Sequence, residues 1–311
     1  MWQLMMSQLA PRDKTGAYIR PNSSFRNFVG KAAENPFGPA TGRYRLFVGK
    51  GCPWAHRTLV TRALKGLEDA VAVSVAFPGS GGMWELESET FGCNTMPEIY
   101  QLAQPGYNGR STVPVLWDDV KGAIVNNESS EIIVMLNSEF NEFARHPELD
   151  LYPDTLREKI DRWNEKIYHA VNNGVYRCGF AQTQAAYDVA CSELFAVLDE
   201  IDRALLTNRY LCGNSVTLAD VRLFTTLFRF DAVYYSLFKC SLRRIQDYQN
   251  LSGYLRDLYQ LPGVAATCDL DAVKRDYYGN LFPLNPGGIV PAGPDLANFL
   301  LPHDRQLTVD R

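Results

Sequence analysis

The residues Tyr44-Arg-Leu-Phe-Val-Gly-Lys-Gly-Cys-Pro-Trp-Ala-His-Arg57 decide how this chain is read. Tyr44 to Gly51 reads as a short strand ending in a glycine turn, and a helical run from Trp54 to about Lys65 follows. Cys52 therefore stands just before Pro53 at a helix start. At that place the positive end of the helix dipole and the first backbone N–H groups stabilise a thiolate. In a Cys-x-x-Cys redox motif a second cysteine would stand three residues on, where this chain has Ala55. The sulfur can attack, but no neighbour in the motif can resolve the resulting disulfide. An outside thiol has to finish the cycle.

The rest of the composition fits such a cycle. At 311 residues the chain is long enough for two ordinary domains, and it is 46% hydrophobic and 21% charged. A net charge of −4, with no basic block and no interleaved basic and aromatic run, argues against nucleic acid as the main partner. No apolar stretch approaches the roughly 18–20 residues of a membrane span. Residues Met1 to Pro11 carry no basic stretch and only a broken apolar run, which predicts no secretory leader. The seven cysteines, Cys52, Cys93, Cys178, Cys191, Cys212, Cys240 and Cys268, are odd in number and scattered, as expected of free thiols in a reducing, cytoplasmic setting. That setting is rich in glutathione, the natural outside thiol. No Cys-x-x-Cys or His-x-x-x-His pair suggests a metal. No Gly-x-Gly-x-x-Gly after a strand suggests a nucleotide or flavin.

Along the chain, residues 1–43 are polar, rich in glycine and proline and without periodicity, and read as an extended arm over the surface. Residues 44–143 alternate strand and helix signals. Ala70 to Phe77 is a β-branched strand, Val113 to Asp118 and Ala123 to Val125 form a hairpin, and Ser129 to Phe140 has helical spacing. An insert at 78–112 reads as a long loop, and loops of that length are uncommon unless functional. After a linker at 144–153, residues 154–279 read as all-helical, with runs at Thr155–Asn173, Thr183–Leu206, Leu218–Ala232 and Arg244–Gln260. The third run is announced by a Thr217-Leu-Ala-Asp220 capping arrangement. Residues 280–311 hold five prolines and three glycines and read as a tail packed on the surface or on a partner subunit.

A βαβ half with a cysteine at its helix start, an X-Pro hairpin and a helical half resemble the glutathione transferase superfamily. Finer motifs narrow this. Cys52-Pro-Trp-Ala-His-Arg57, Gly109-Arg-Ser-Thr-Val-Pro-Val-Leu-Trp-Asp118, Asn126-Asn-Glu-Ser-Ser-Glu131, Asn172-Asn-Gly-Val-Tyr176, Arg229-Phe-Asp-Ala-Val-Tyr234 and Asn285-Pro-Gly-Gly-Ile289 are similar, in order, to the signatures of the glutathionyl-hydroquinone reductases, the Xi class. The likeness runs from about residue 15 to the end. Ala232 departs from it, standing where the family often has proline. The resemblance implies an N-terminal thioredoxin-like domain (α/β) followed by an all-α domain. It also implies a homodimer, with the insert and the tail as plausible interface elements.

Cys52 is the expected nucleophile, and Cys93, in the insert, is the one other cysteine considered reactive. The remaining five lie on or next to helical runs and read as packing residues. Glu128 and Ser129 stand at a strand-to-helix turn. There Glu128 can accept from the amine of a γ-glutamyl group, and Ser129 with the helix N–H groups can hold its carboxylate. Helix capping is the plainer role for Ser129, and both can hold at once. In the thioredoxin-like fold Pro114 is cis, leaving the Val113 backbone to pair with the tripeptide like an added strand. Trp84 and Arg110 are contacts that the resemblance suggests, against a core aromatic and a surface charge. It also singles out Tyr176, Tyr234 and Tyr277 for the acceptor site, with Tyr235 and Tyr278 as rivals one residue on. A phenol can stack on an aromatic ring, bond to its hydroxyl or pass a proton to its carbon. His56 and Arg57 invite base or anion-binding roles, but the helix start already stabilises the thiolate, and both read as structural.

The activity these expectations compose is the reductive deglutathionylation of glutathionyl-hydroquinones, with glutathione as co-substrate. A thioltransferase or dehydroascorbate reductase like the omega class is the nearest alternative. A non-catalytic ligand-binding protein and a conventional conjugating transferase stand further off.

Overall fold

The computed structural model describes residues 10–79 and 82–305. Most of the N-terminal stretch read for a leader therefore lies outside the described residues, as do residues 80 and 81 of the insert and the last six residues of the tail. The chain divides into two compact units. One comprises Ser23–Leu151 with Pro262–Asp276. The other gathers the described residues up to Asn22, Tyr152–Leu261 and those from Tyr277 onward.

The first unit is built on a six-stranded sheet. Its elements are β1 (Tyr44–Gly49), α1 (Pro53–Lys65), β2 (Val71–Pro78), β3 (Trp84–Thr90), β4 (Cys93–Thr95), α2 (Met96–Ala103), β5 (Val115–Asp118), β6 (Ala123–Asn126) and α3 (Ser129–Ser138). The strand order is β4-β3-β2-β1-β5-β6, with β1 and β2 parallel and every other pair antiparallel. Leu46 of β1 lies opposite Val73 on one side and Leu116 on the other, so the strand that delivers Cys52 is central. Of its six residues only Arg45 is not buried, the near-continuous apolar run of a strand covered on both faces. Helices α1 and α3 pack together, and Ile132, Met135, Leu136 and Ala55 join the core with Tyr44, Phe47 and Trp117. At its far end α1 stops on Gly66 in the left-handed region (φ 64°), with Arg62 and Lys65 in its last turn where the dipole favours cations.

Two sequence readings change here. The insert is not a loop: β3 and β4 extend the sheet beyond β2, and α2 follows. Its alternation Trp84-Glu-Leu-Glu-Ser-Glu-Thr90 buries only Leu86, so it carries little apolar signal. The β3–β4 turn places both Phe91 (φ 57°) and Gly92 (φ 73°) in the left-handed region, as a tight hairpin requires. Helix α2 opens on a capping box in which Thr95 and Glu98 satisfy each other's backbone N–H. Nor is the arm wholly superficial. Asn27 donates its N–H to Val125 O (3.0 Å), and Val29 and Phe37 are buried in the core of the sheet.

The second unit is helical. It holds α4 (Arg157–Ile167), α5 (Gly174–Gly179), α6 (Gln184–Ala204), α7 (Leu218–Arg229) and α8 (Leu251–Tyr259). Helix α9 (Leu270–Asn280), which the sequence reading passes over, is divided between the units at Asp276 and Tyr277. Helix α4 runs into a π-helical turn at Tyr168–Asn172, and α7 into another at Phe230–Tyr234. The capping box expected at Thr217 is present. Asp220, completely buried, accepts from Thr217 N–H and O–H (2.8 Å each), Leu211 N–H (2.9 Å) and Tyr254 O–H (2.7 Å). Arg244 to Gln260 is not one helix. Asp231 draws off Ile245 N–H and Gln246 N–H, and Asp202 holds Asn250 N–H and Leu251 N–H, so α8 starts only at Leu251. The tail docks on its own unit through Phe299, whose ring packs against Phe228 and Tyr259. Among the described residues no helix is long and apolar enough to cross a membrane, and no group of three His, Cys, Asp or Glu could hold a metal ion.

Candidate active site

Cys52 is the N-cap of α1, with Pro53 as the first helical residue. A proline loses nothing there, since an N–H at that position has no partner within the helix. The Cys52 N–H closes the turn by donating to Gly49 O (3.0 Å). The thiol is half-buried and lies 3.6 Å from the carbonyl oxygen of Val113, which precedes a cis bond to Pro114. The geometry thus brings together two residues that the sequence reading expects at a glutathione site. The other six cysteines, Cys93 included, are buried, and no disulfide joins any of the seven. Burial pushes the Cys93 thiol up, and the Glu98 and Glu89 carboxylates push the same way, which makes it a poor nucleophile.

Glu128 is the N-cap of α3, and Ser129 its first residue. One Glu128 oxygen accepts from Ser130 N–H (3.1 Å) and Ser130 O–H (2.9 Å), the other from Ser23 O–H (3.0 Å). Burial alone would raise this carboxyl. The bonds from Ser130 and Ser23 and the charge of Arg57 outweigh it and hold the group below its usual range. A carboxylate offers about four acceptor sites, so roughly one is left for a ligand amine. Arg57, read as structural, is buried. It stacks 4.4 Å over the Trp54 ring and donates to Ser129 Oγ (3.3 Å). Its charge thus lies behind the serine expected to bind a carboxylate, and its place in the Cys52 motif was the available signal. Ser23 lies in the arm, and nothing in the sequence marks it as a partner of Glu128. His56 turns instead to Thr267 Oγ1 (2.9 Å) and Cys268 Sγ (3.7 Å).

The Trp84 ring covers Gly49, where a Cβ would come within 2.3 Å of it, so glycine is needed at the end of β1. Arg110 is exposed, and its carbonyl accepts from Tyr107 O–H (3.1 Å).

In the helical unit the three singled-out tyrosines converge. Tyr277 O–H is hydrogen-bonded to Tyr176 O–H (2.5 Å) and Tyr234 O–H (3.0 Å). Tyr234 closes the second π turn, and Tyr176 follows the first by four residues. A π turn inserts a residue and so rotates everything after it, a device common at functional sites. Phe238 packs against all three rings, and a Cβ at Gly179 would strike it at 2.3 Å. Burial pushes the Tyr277 phenol well up, and the neighbouring Tyr176 and Tyr234 hydroxyls push the same way. The rival Tyr278 is committed elsewhere, to Ala232 O (3.2 Å) and Ser236.

A cysteine-led α/β unit joined to a helical unit is the build of the glutathione transferases. Family models agree: "Glutathione S-transferase, N-terminal domain" matches residues 51–139, and "Glutathione S-transferase, C-terminal domain" matches 184–257. The chain is 45% identical to glutathionyl-hydroquinone reductase PcpF of Sphingobium chlorophenolicum, over 90% of each chain. It is 44% identical to glutathionyl-hydroquinone reductase YqjG of Escherichia coli, over 90% of this chain and 89% of that one. The glutathione-bound structure of YqjG superposes with a TM-score of 0.85 at 43% identity, covering 91% of this chain and 96% of that one. A Xi-class transferase from Natrialba magadii superposes with a TM-score of 0.87 at 47% identity, covering 91% and 89%. The chain belongs to the glutathionyl-hydroquinone reductases, the Xi class of the glutathione transferase superfamily.

Proposed function

We propose that this protein uses glutathione to remove the glutathionyl group from glutathionyl-hydroquinones. The Cys52 thiolate attacks the substrate sulfur. The carbon–sulfur bond breaks, its electron pair goes to the ring carbon, and that carbon takes up a proton. Free hydroquinone departs, and Cys52 is left in a mixed disulfide with glutathione. A second glutathione thiolate attacks the glutathione sulfur of that disulfide, releases glutathione disulfide and restores Cys52. A ring carbanion is a poor leaving group unless protonated. In this reading Tyr176, Tyr234 and Tyr277 favour the keto form of the ring and supply the proton. Glu128 and Ser129 hold the γ-glutamyl end and Val113 the peptide, with Trp84 and Arg110 as supplementary contacts.

The observation that carries the reading is Cys52 at the N-cap of α1 beside the Val113 carbonyl, with Ala55 where a resolving thiol would stand. Two close relatives bear the name of this activity, and one of them has been captured with glutathione. We also read the enzyme as a cytoplasmic homodimer. Sedimentation at micromolar concentration tests the dimer, and a pure monomer would refute it. The activity is tested by following free hydroquinone released from a glutathionyl-hydroquinone in excess glutathione. The unsubstituted protein should turn over and Cys52→Ala should not. Near-normal turnover by Cys52→Ala would refute the mechanism. Reduction of a glutathione mixed disulfide without hydroquinone release would transfer the assignment to an omega-like thioltransferase.

A further inference from the structure

We propose that Asp276 is a positioning residue for Cys52, acting through the Gly51 amide. The turn that delivers the thiol is Gly49 to Cys52, closed by Cys52 N–H to Gly49 O. Its two central residues are gripped by carboxylates more than 200 positions away in sequence. Gly51 N–H donates to Asp276 Oδ2 (3.0 Å), and Lys50 Nζ lies 3.3 Å from Asp269 Oδ2. The approach at Gly51 leaves no room for a side chain, since a Cβ there would lie 2.2 Å from Asp276 Oδ2. Asp269 is itself fixed, accepting Ala272 N–H (2.9 Å) at the start of α9. The same stretch holds the first turns of α1 through Thr267 and Cys268 on His56. The direction of the Cys52 backbone, and with it the place of the sulfur at the helix start, thus depends on a hydrogen bond that the Cys-Pro motif does not contain. The same approach accounts for glycine at position 51.

The proposal rests on Cys52 as the nucleophile but not on the identity of the substrate, so its test does not need a hydroquinone. Asp276→Ala and Asp276→Asn are compared with the unsubstituted protein for the rate of Cys52 alkylation by iodoacetamide, read by mass spectrometry of the Cys52 peptide. The kcat of hydroquinone release is measured beside it. Asp276→Ala should slow alkylation about five- to tenfold, the size of one net hydrogen bond, with kcat falling in step. The amide oxygen of Asp276→Asn still accepts from Gly51 N–H, so this variant should recover at least about half the original rate. Alkylation of Asp276→Ala at the unsubstituted rate would overturn the proposal. So would Asp276→Asn as slow as Asp276→Ala, which would make the residue merely structural. Failure of the hydroquinone reading alone would abolish turnover in every variant and leave the alkylation series intact.

Discussion

Replacing Glu128 with glutamine tests the glutathione site at its most constrained atom. Three donors, Ser130 N–H, Ser130 O–H and Ser23 O–H, already fix the carboxylate. The substitution therefore leaves the group in place and removes its charge. On the proposed reading the lost partner is the γ-glutamyl amine, and a hydrogen bond to a charged group contributes about 1.5–3 kcal/mol. KM for glutathione should then rise by about tenfold to a hundredfold while kcat holds, because the bond is made equally in ground and transition states. Initial rates at pH 7 with glutathione varied, and calorimetric titration of glutathione, give the number. A KM within about threefold of the original would refute the assignment, since no charged partner worth that little fits a part-buried carboxylate. The stability of the protein supplies a second reading. The folded-state carboxyl sits below its ordinary value of 4.5, so its contribution is present above that value and is lost as pH falls through the folded-state value. Glu128→Gln should be less stable than the original at neutral pH by about 1 kcal/mol, and the gap should close as acid protonates the Glu128 carboxyl of the original.

Tyr277→Phe keeps the ring against Phe238 and removes the hydroxyl that joins Tyr176 to Tyr234. It should lower kcat on glutathionyl-hydroquinones by about a hundredfold and leave reduction of a glutathione mixed disulfide within about twofold; equal losses on both would refute a role in ring protonation, whether direct or through Tyr176. Asp220→Ala leaves four buried donors without their carboxylate. The cost should be about 3–5 kcal/mol by denaturant unfolding, and a cost under about 1 kcal/mol would show that the capping box does not anchor α7.

Local chemistry made much of the fold legible. A Gly-Lys-Gly turn before Cys-Pro announces a strand, a turn and a helix start, and the Thr217–Asp220 pair announces α7. The insert reads as a loop because β3 is an edge-side strand with glutamate at every second position, so its pattern carries almost no apolar content. Its Thr95-x-x-Glu98 box was nonetheless readable. Helix α9 is hard to see in the sequence because Lys274, Arg275 and Asp276 interrupt its apolar spacing. The sequence could name Cys52, Glu128 and Ser129, since each sits where a helix begins. It could not reach Ser23 or Asp276, because their partners lie about 105 and 225 residues away and no local rule joins them. Arg57 was visible in the motif, but its stacking on Trp54 and its bond to Ser129 depend on how α1 meets α3.

The tyrosine cluster shows why placement and acidity have to be considered separately. Tyr277 stands between the other two hydroxyls, and position alone would make it the acid. Burial and its neighbours push its phenol well up, however, and an acid whose anion is so disfavoured gives up its proton reluctantly. What Tyr277 does well under those conditions is remain neutral, able to donate one hydrogen bond and accept another. Tyr234 is completely buried, whereas Tyr176 is only partly so. Within the proposed reading we therefore assign the proton delivered to the ring carbon to Tyr176, with Tyr277 stabilising the phenolate that forms by donating to it across the 2.5 Å contact. Tyr176→Phe should then lower kcat more than Tyr277→Phe does. The opposite order would return the acid role to Tyr277.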